Sequence, residues 1–147
     1  MESIKSFTKQ YSFLSNFYGC FINYMGLRFP SVEHAFQAAK SPDPDIRWQF
    51  QYCRSAGEAK QRGKMIKLRP DWEEVKIQVM TDLIRNKFQC PKLKQKLLDT
   101  GCAHLEEGNN HGDRFWGTVK GQGRNELGKI LMKVRDELRD ESQNSGQ

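Results

Sequence analysis

The feature that most constrains this chain is a pair of long stretches in which apolar residues recur every three or four positions. Val75, Val79, Met80, Leu83, Ile84 and Phe88 make one stripe; Leu127, Ile130, Leu131, Val134 and Leu138 make the other. That period matches the turn of an α-helix, so both stretches are read as helices with one face in a core. The first stripe is wide and marks the expected central, most buried helix. Punctuation residues set the remaining elements. Ser31 is a candidate N-cap for a helix carrying Val32, Ala35, Phe36 and Ala39, and the proline-rich segment 41–45 ends it. A short helix is expected over 46–53. Ser55 and Glu58 have the S-x-x-E form of a capping box, opening a helix that Gly63 closes. Asp71 is the cap of the wide-striped helix, with Glu74 three residues on. Pro91, at a first helical position, opens a helix that turns Leu93, Leu97 and Leu98 inward and stops at Gly101.

Between these helices the sequence is irregular. The first thirty residues are aromatic, and 19–24 reads as a strand, Met25-Gly26 as a turn and 27–29 as the return strand of a small hairpin. Residues 108–123 form a polar, glycine-rich loop, long enough to be functional or disordered. With 147 residues and no repeat or linker, the chain is expected to be one domain over 1–140. Its class is mainly α (α+β), a compact helical fold with a small N-terminal β-hairpin. A polar tail over 141–147 is expected to be disordered.

Charge and cysteine usage narrow the function classes. The net charge of +6 suits an anionic ligand, although the basic residues are spread along the chain and no nucleic-acid-binding motif appears. No apolar stretch approaches the roughly 20 residues of a membrane span, and the N-terminus lacks the apolar core of a signal peptide. Cys20, Cys53, Cys90 and Cys102 are widely spaced, and His34, His104 and His111 do not join them at zinc-ligand spacings. These features predict a cytoplasmic protein with reduced thiols and no bound metal.

Three places carry chemistry-bearing residues. Glu33, Gln37 and Lys40 stand at i, i+4 and i+7, on one side of their helix. By spacing alone they read as a solvated face, with Glu33 favouring the helix N-terminus. The loop 109–117 packs His111, Asp113, Arg114, Phe115 and Trp116 between glycines, and functional residues favour such loops. The plainer reading makes Asp113 a turn cap and Trp116 an anchor. Arg124 and Asn125, behind Gly121 and Gly123, stand where a helix N-terminus could hold a phosphate, but the segment is not a P-loop, and a capped helix start is the simpler reading. Lys60 and Arg62, with Lys64 and Lys67, form a basic run whose usual meaning is solvated charge.

Taken in order, these segments resemble the NADAR (YbiA-like) family. Residues 11–17, Tyr-Ser-Phe-Leu-Ser-Asn-Phe, resemble its opening F-L-S-N-F motif, which contains Asn16. Residues 30–40 resemble its S-x-E-H-x-x-Q-A-x-K helix. Ala59-Lys60 with Gly63, Arg69-Pro70-Asp71-Trp72, Lys87-Phe88, residues 97–101, Glu106, residues 113–117 and residues 123–132 follow in the family's order. The likeness runs from about Phe7 to Arg135.

The resemblance implies hydrolysis of N-glycosidic bonds to ribose, without a cofactor. It implies either of two substrate classes: the phosphoribosylamino-pyrimidine intermediates of riboflavin synthesis, or ADP-ribose linked to a nucleobase, notably guanine, including ADP-ribosylated nucleic acid. It makes Glu33 and Asp113 the functional carboxylates and Trp116 a stacking ring. It points to Lys40 or Lys60 as a lysine forming a Schiff base with the opened ribose, without choosing between them. His111 stands where the family has a tryptophan, a departure that changes what can stack there. Asn16, Gln37, Arg62, Arg124 and Asn125 are the accompanying candidates for binding hydroxyls and phosphate. The competing class is a binding module that holds ADP-ribose or a nucleotide without cleaving it. Such a module has no need of paired carboxylates and a motif lysine.

Overall fold

The computed structural model describes residues 2–145. Along the chain the elements are β1 (Ser3–Ile4), a 3-10 segment (Lys9–Leu14), β2 (Ile22–Tyr24), β3 (Leu27–Phe29), α1 (Val32–Ala39), α2 (Pro44–Gln49), a 3-10 turn (Phe50–Tyr52), α3 (Ala56–Gly63), α4 (Trp72–Lys87), α5 (Pro91–Asp99), β4 (His104–Leu105) and α6 (Glu126–Ser145). This is the helix-dominated α+β class expected. The residues fall into two compact units, 16–87 and 1–15 with 88–147.

In the unit 16–87 the hairpin forms, with its turn where expected and its first strand beginning at Ile22 instead of at residue 19. Strands β2 and β3 pair antiparallel, with Ile22 opposite Phe29 and Tyr24 opposite Leu27. Its two-residue turn places both Met25 and Gly26 at positive φ, 55° and 74°, the geometry whose twist matches the flanking strands. Helix α1 follows at once. Ser31 is extended and its Oγ accepts the His34 N–H, as a cap should. Every residue of α1 is buried. The small side chains of Ala35, Ala38 and Ala39 let neighbours pack close on several sides, so α1, and not the longer α4, is the most buried helix. The His34 ring locks it in place. Its Nε2 donates to the Cys53 carbonyl at 3.0 Å, which leaves Nδ1 to accept from the Ser31 hydroxyl at 2.7 Å. Burial, the dominant cause, holds the imidazole below its usual pKa, which favours this neutral form. The expected helix over 46–53 begins earlier, at Pro44 behind an Asp43 cap, and tightens to a 3-10 turn after Gln49. Ser55 caps α3 by accepting from the Glu58 N–H. Asp71 precedes α4 as expected, but its carboxylate is held by the Arg69 guanidinium at 2.6 and 3.0 Å.

In the unit 1–15 with 88–147, α5 buries Leu93 and Leu97 and α6 buries Leu127, Ile130, Leu131, Val134 and Leu138. Gly101, at φ +64°, follows the end of α5. Strand β1 pairs in parallel with β4, Ser3 beside His104 and Ile4 beside Leu105. Buried Arg135, on α6, binds the Thr100 hydroxyl and the Ala103 carbonyl and so ties the α5–β4 turn to α6. Helix α6 runs through Ser145, into the segment 141–147 read from the sequence as a polar tail. No proline or glycine interrupts residues 141–145, so the helical ladder continues; residues 146 and 147 lie outside the described residues.

Candidate active site

The row on α1 is not the solvated face that its spacing suggests. Glu33 is 7% exposed and Gln37 4%. A carboxylate taken from water needs partners, and Gln37 Nε2 donates to Glu33 Oε1 at 2.7 Å. The helix end carrying Glu33 is fixed from Asn16, whose backbone oxygen accepts the Glu33 N–H at 3.1 Å. The Asn16 side chain is buried as well, with Nδ2 on the Met80 sulfur at 3.5 Å. Two acceptor atoms here, Asn16 Oδ1 and Gln37 Oε1, are buried without a hydrogen-bond partner. Each such atom costs about 1–3 kcal/mol, which a helix serving only as core would shed.

Lys40 ends the row. Its carbonyl accepts the Arg69 N–H at 2.7 Å, and its ammonium lies 5.7 Å from the centre of the Phe36 ring. The Lys40 pKa is lowered, first by burial, with Lys60, Lys76 and Lys64 pushing the same way and Glu33 opposing. Lys60, on α3, stands half-buried with its ammonium 6.0 Å from the Phe17 ring centre. Phe17 is itself 48% exposed. The structure thus brings Glu33, Gln37, Lys40, Lys60 and Asn16 into one unit, with Glu33 bound to Gln37 through its side chain and to Asn16 through its backbone. Arg62 is exposed on the same unit.

The loop 106–125 supplies the other candidates, and side-chain brackets hold it in shape. Asp113 Oδ1 accepts the N–H groups of Phe115 and Trp116 at 3.1 and 2.9 Å. Asn109 Oδ1 accepts from His111 and Asp113, while its Nδ2 donates to the Asp113 carbonyl. Asn125, at φ 52°, is buried, donates to the Leu105 carbonyl and accepts the Glu107 N–H. Gly117 admits a close approach: a methyl group there would meet the Glu107 carbonyl at 2.0 Å. The loop so braced presents Phe115 and Trp116 edge to face, 4.8 Å apart, with the Arg124 guanidinium 4.7 Å from the Phe115 ring centre. Arg124 also pairs with Glu126 at 3.0 Å and is exposed, as is His111. Asp113 therefore does cap a turn, and Asn125 serves as a bracket of the loop.

Sequence reasoning missed Asn109, the organiser of this loop. The signal was the short polar run Asn109-Asn110 ahead of Gly112, since asparagine side chains mimic backbone turns. Sequence reasoning took Lys87 only as part of a motif and missed its burial: the residue is 2% exposed, and burial pushes its pKa down to about 8. On a helix read as amphipathic, nothing local marks one lysine as buried.

The chain is similar to known proteins in both sequence and fold. The NADAR domain model matches residues 4–139. A riboflavin biosynthesis protein of Vibrio vulnificus is 39% identical over 136 residues, covering 90% of this chain, which spans 37% of that protein's length. The N-glycosidase YbiA of Escherichia coli is 37% identical over 137 residues, covering 90% of this chain and 85% of that protein. The NMR structure of the E. coli protein YbiA superposes with a TM-score of 0.84 at 35% identity, covering 97% of this chain and 89% of that one. Fold and sequence together define an α+β domain of the kind carried by N-glycosidases. The chain belongs to the NADAR family. Among the described residues, no helix is long and apolar enough to cross a membrane.

Proposed function

We propose that this chain hydrolyses the bond between the anomeric carbon of a ribose and a nitrogen, in a phosphoribosylamino-pyrimidine or an ADP-ribosylated base such as guanine. The reaction class is that of its family: it is a hydrolase of N-glycosyl bonds. Kinship with a protein named for riboflavin biosynthesis favours the pyrimidine substrate. The observation that carries the mechanism is the row Glu33, Gln37 and Lys40, in which a buried, hydrogen-bonded carboxylate shares a helix face with a half-buried amine whose pKa burial lowers.

Cleaving this bond builds positive charge on the anomeric carbon and negative charge on the departing nitrogen. Glu33 answers the first need, because a carboxylate removed from water stabilises a nearby cation more strongly than an exposed one does. Asp113 is assigned the acid that protonates the departing nitrogen, and Trp116 the stacking of the base or ribose face. Lys40 is assigned the covalent step. A lysine attacks carbon only when neutral, and desolvation with three cations nearby moves Lys40 toward that form. Its amine bonds to the anomeric carbon as the carbon–nitrogen bond to the base breaks; the ring C–O bond then opens, the amine's proton passing to the ring oxygen, to leave an imine, and water adds to the imine carbon to free the sugar and regenerate the amine. Arg62 and Arg124, both exposed, are the cations offered to phosphate. Borohydride added during turnover is expected to trap a sugar adduct on Lys40. An adduct on Lys60, or full turnover by Lys40→Met without an adduct, removes Lys40 from this role.

A further inference from the structure

The geometry points to Gln37 and Gly63 as a two-residue device that orients the Glu33 carboxylate, an inference that rests on the reading of Glu33 as the working carboxylate. Gln37 lies one turn along α1 from Glu33. Its Nε2 donates to Glu33 Oε1 at 2.7 Å. At its other end Oε1 is buried with no hydrogen-bond partner and faces the backbone of Gly63 on α3. A methyl group built on Gly63 would sit 1.8 Å from Gln37 Oε1, 2.7 Å from Cδ and 3.3 Å from Cβ.

The two ends together permit one orientation of the amide. Turned over, it would set its carbonyl against a carboxylate oxygen, and two acceptors repel. Displaced sideways, it loses the contact with Glu33. Gly63 is not needed here for an unusual backbone, since it is not among the glycines at positive φ, and the helix ends on Lys64 in ordinary right-handed geometry. The helix closes at Gly63 as expected, but what Gly63 supplies there is space and not a left-handed turn. Nor does the amide improve the core, because it leaves a buried acceptor unsatisfied. A local rule is broken, and the return on it is the fixed carboxylate. Asn16 completes the arrangement by holding the Glu33 N–H, so backbone and side chain of the same residue are each tethered. Gln37 and Gly63 are positioning residues that act through Glu33.

The test is a double-mutant cycle in the full chain, using Gln37→Ala, Gly63→Ala and both together, with Glu33→Gln alongside. The substrate is whichever of the phosphoribosylamino-pyrimidine and ADP-ribosylated guanine the wild-type protein hydrolyses. Each single change is expected to lower kcat by about 10- to 100-fold with KM nearly unmoved, since misplacing a reacting group by an ångström costs on that order. The double variant is expected to match Gln37→Ala, because the added methyl then has no amide to displace. Gln37→Ala also makes room for that methyl, so the pair decides the matter even if Gly63→Ala alone does not fold. Wild-type kcat in Gln37→Ala, a loss confined to KM, or a double variant far worse than Gln37→Ala overturns the device. If Glu33→Gln abolishes turnover while Gln37→Ala retains it, only the device fails. If Glu33→Gln turns over like wild type, the reading of Glu33 fails and takes the device with it.

Discussion

Glu33, Gln37 and Lys40 show how far the meaning of a residue depends on burial. Their spacing put them on one side of a helix and said nothing about whether that side met water. Lys87 makes the same point on α4. It is all but fully buried, its ammonium 5.5 Å from the Tyr18 ring centre, and its pKa is about 8 against an ordinary 10.5. Lowering a lysine's pKa in the folded state means the unfolded chain binds its proton more tightly. Stability on this account is lowest where both states are charged, below pH about 8, and rises with pH up to the ordinary lysine value. The span of the rise is on the order of 3 kcal/mol. Urea unfolding of wild type and Lys87→Met at several pH values between 7 and about 10 checks it. The wild type is expected to gain stability relative to the variant as pH increases. A constant difference between the two would show that the folded protein does not depress this lysine.

At the scale of elements, capping chemistry was legible and long-range closure was not. Ser31, Ser55 and Pro91 opened helices where expected because a cap is a bargain between neighbours in sequence. The hairpin was legible for the same reason, its turn lying in two adjacent residues. The pairing of β1 with β4 left no trace, since two-residue strands show no periodicity and their partners are about a hundred positions apart. The order of the loop 106–125 was equally hidden. Its glycines suggested freedom, whereas Gly117 is there because a carbonyl passes too close for any side chain. Asp113 illustrates how two readings of one residue can both apply. Its carboxylate caps the Phe115 and Trp116 amides, and the proposed chemistry needs its charge or proton. Asparagine keeps an accepting oxygen and alanine does not. Asp113→Asn is therefore expected to keep the wild-type Tm while losing turnover. Asp113→Ala is expected to lose turnover and about 1 kcal/mol of stability besides. Equal turnover in Asp113→Asn and wild type would leave this aspartate a turn cap and nothing more.

For the whole molecule, the order of motifs carried more than any one of them. Each segment alone had an ordinary structural explanation, yet together they resembled one family from about residue 7 to 135, and the family match spans residues 4–139. The assignment of two working carboxylates, a stacking ring and a lysine to a catalyst, and not to a binding module, is the claim on which the account rests. It is tested most directly by incubating the protein with the phosphoribosylamino-pyrimidine and, separately, with ADP-ribosylated guanine, and measuring released base and sugar by mass spectrometry, with Glu33→Gln as the control. The account predicts stoichiometric release of base and sugar from at least one of them by the wild-type protein and a loss of at least about 100-fold in the control. Tight binding of ADP-ribose with no release from either compound would contradict it and make the chain a binding module.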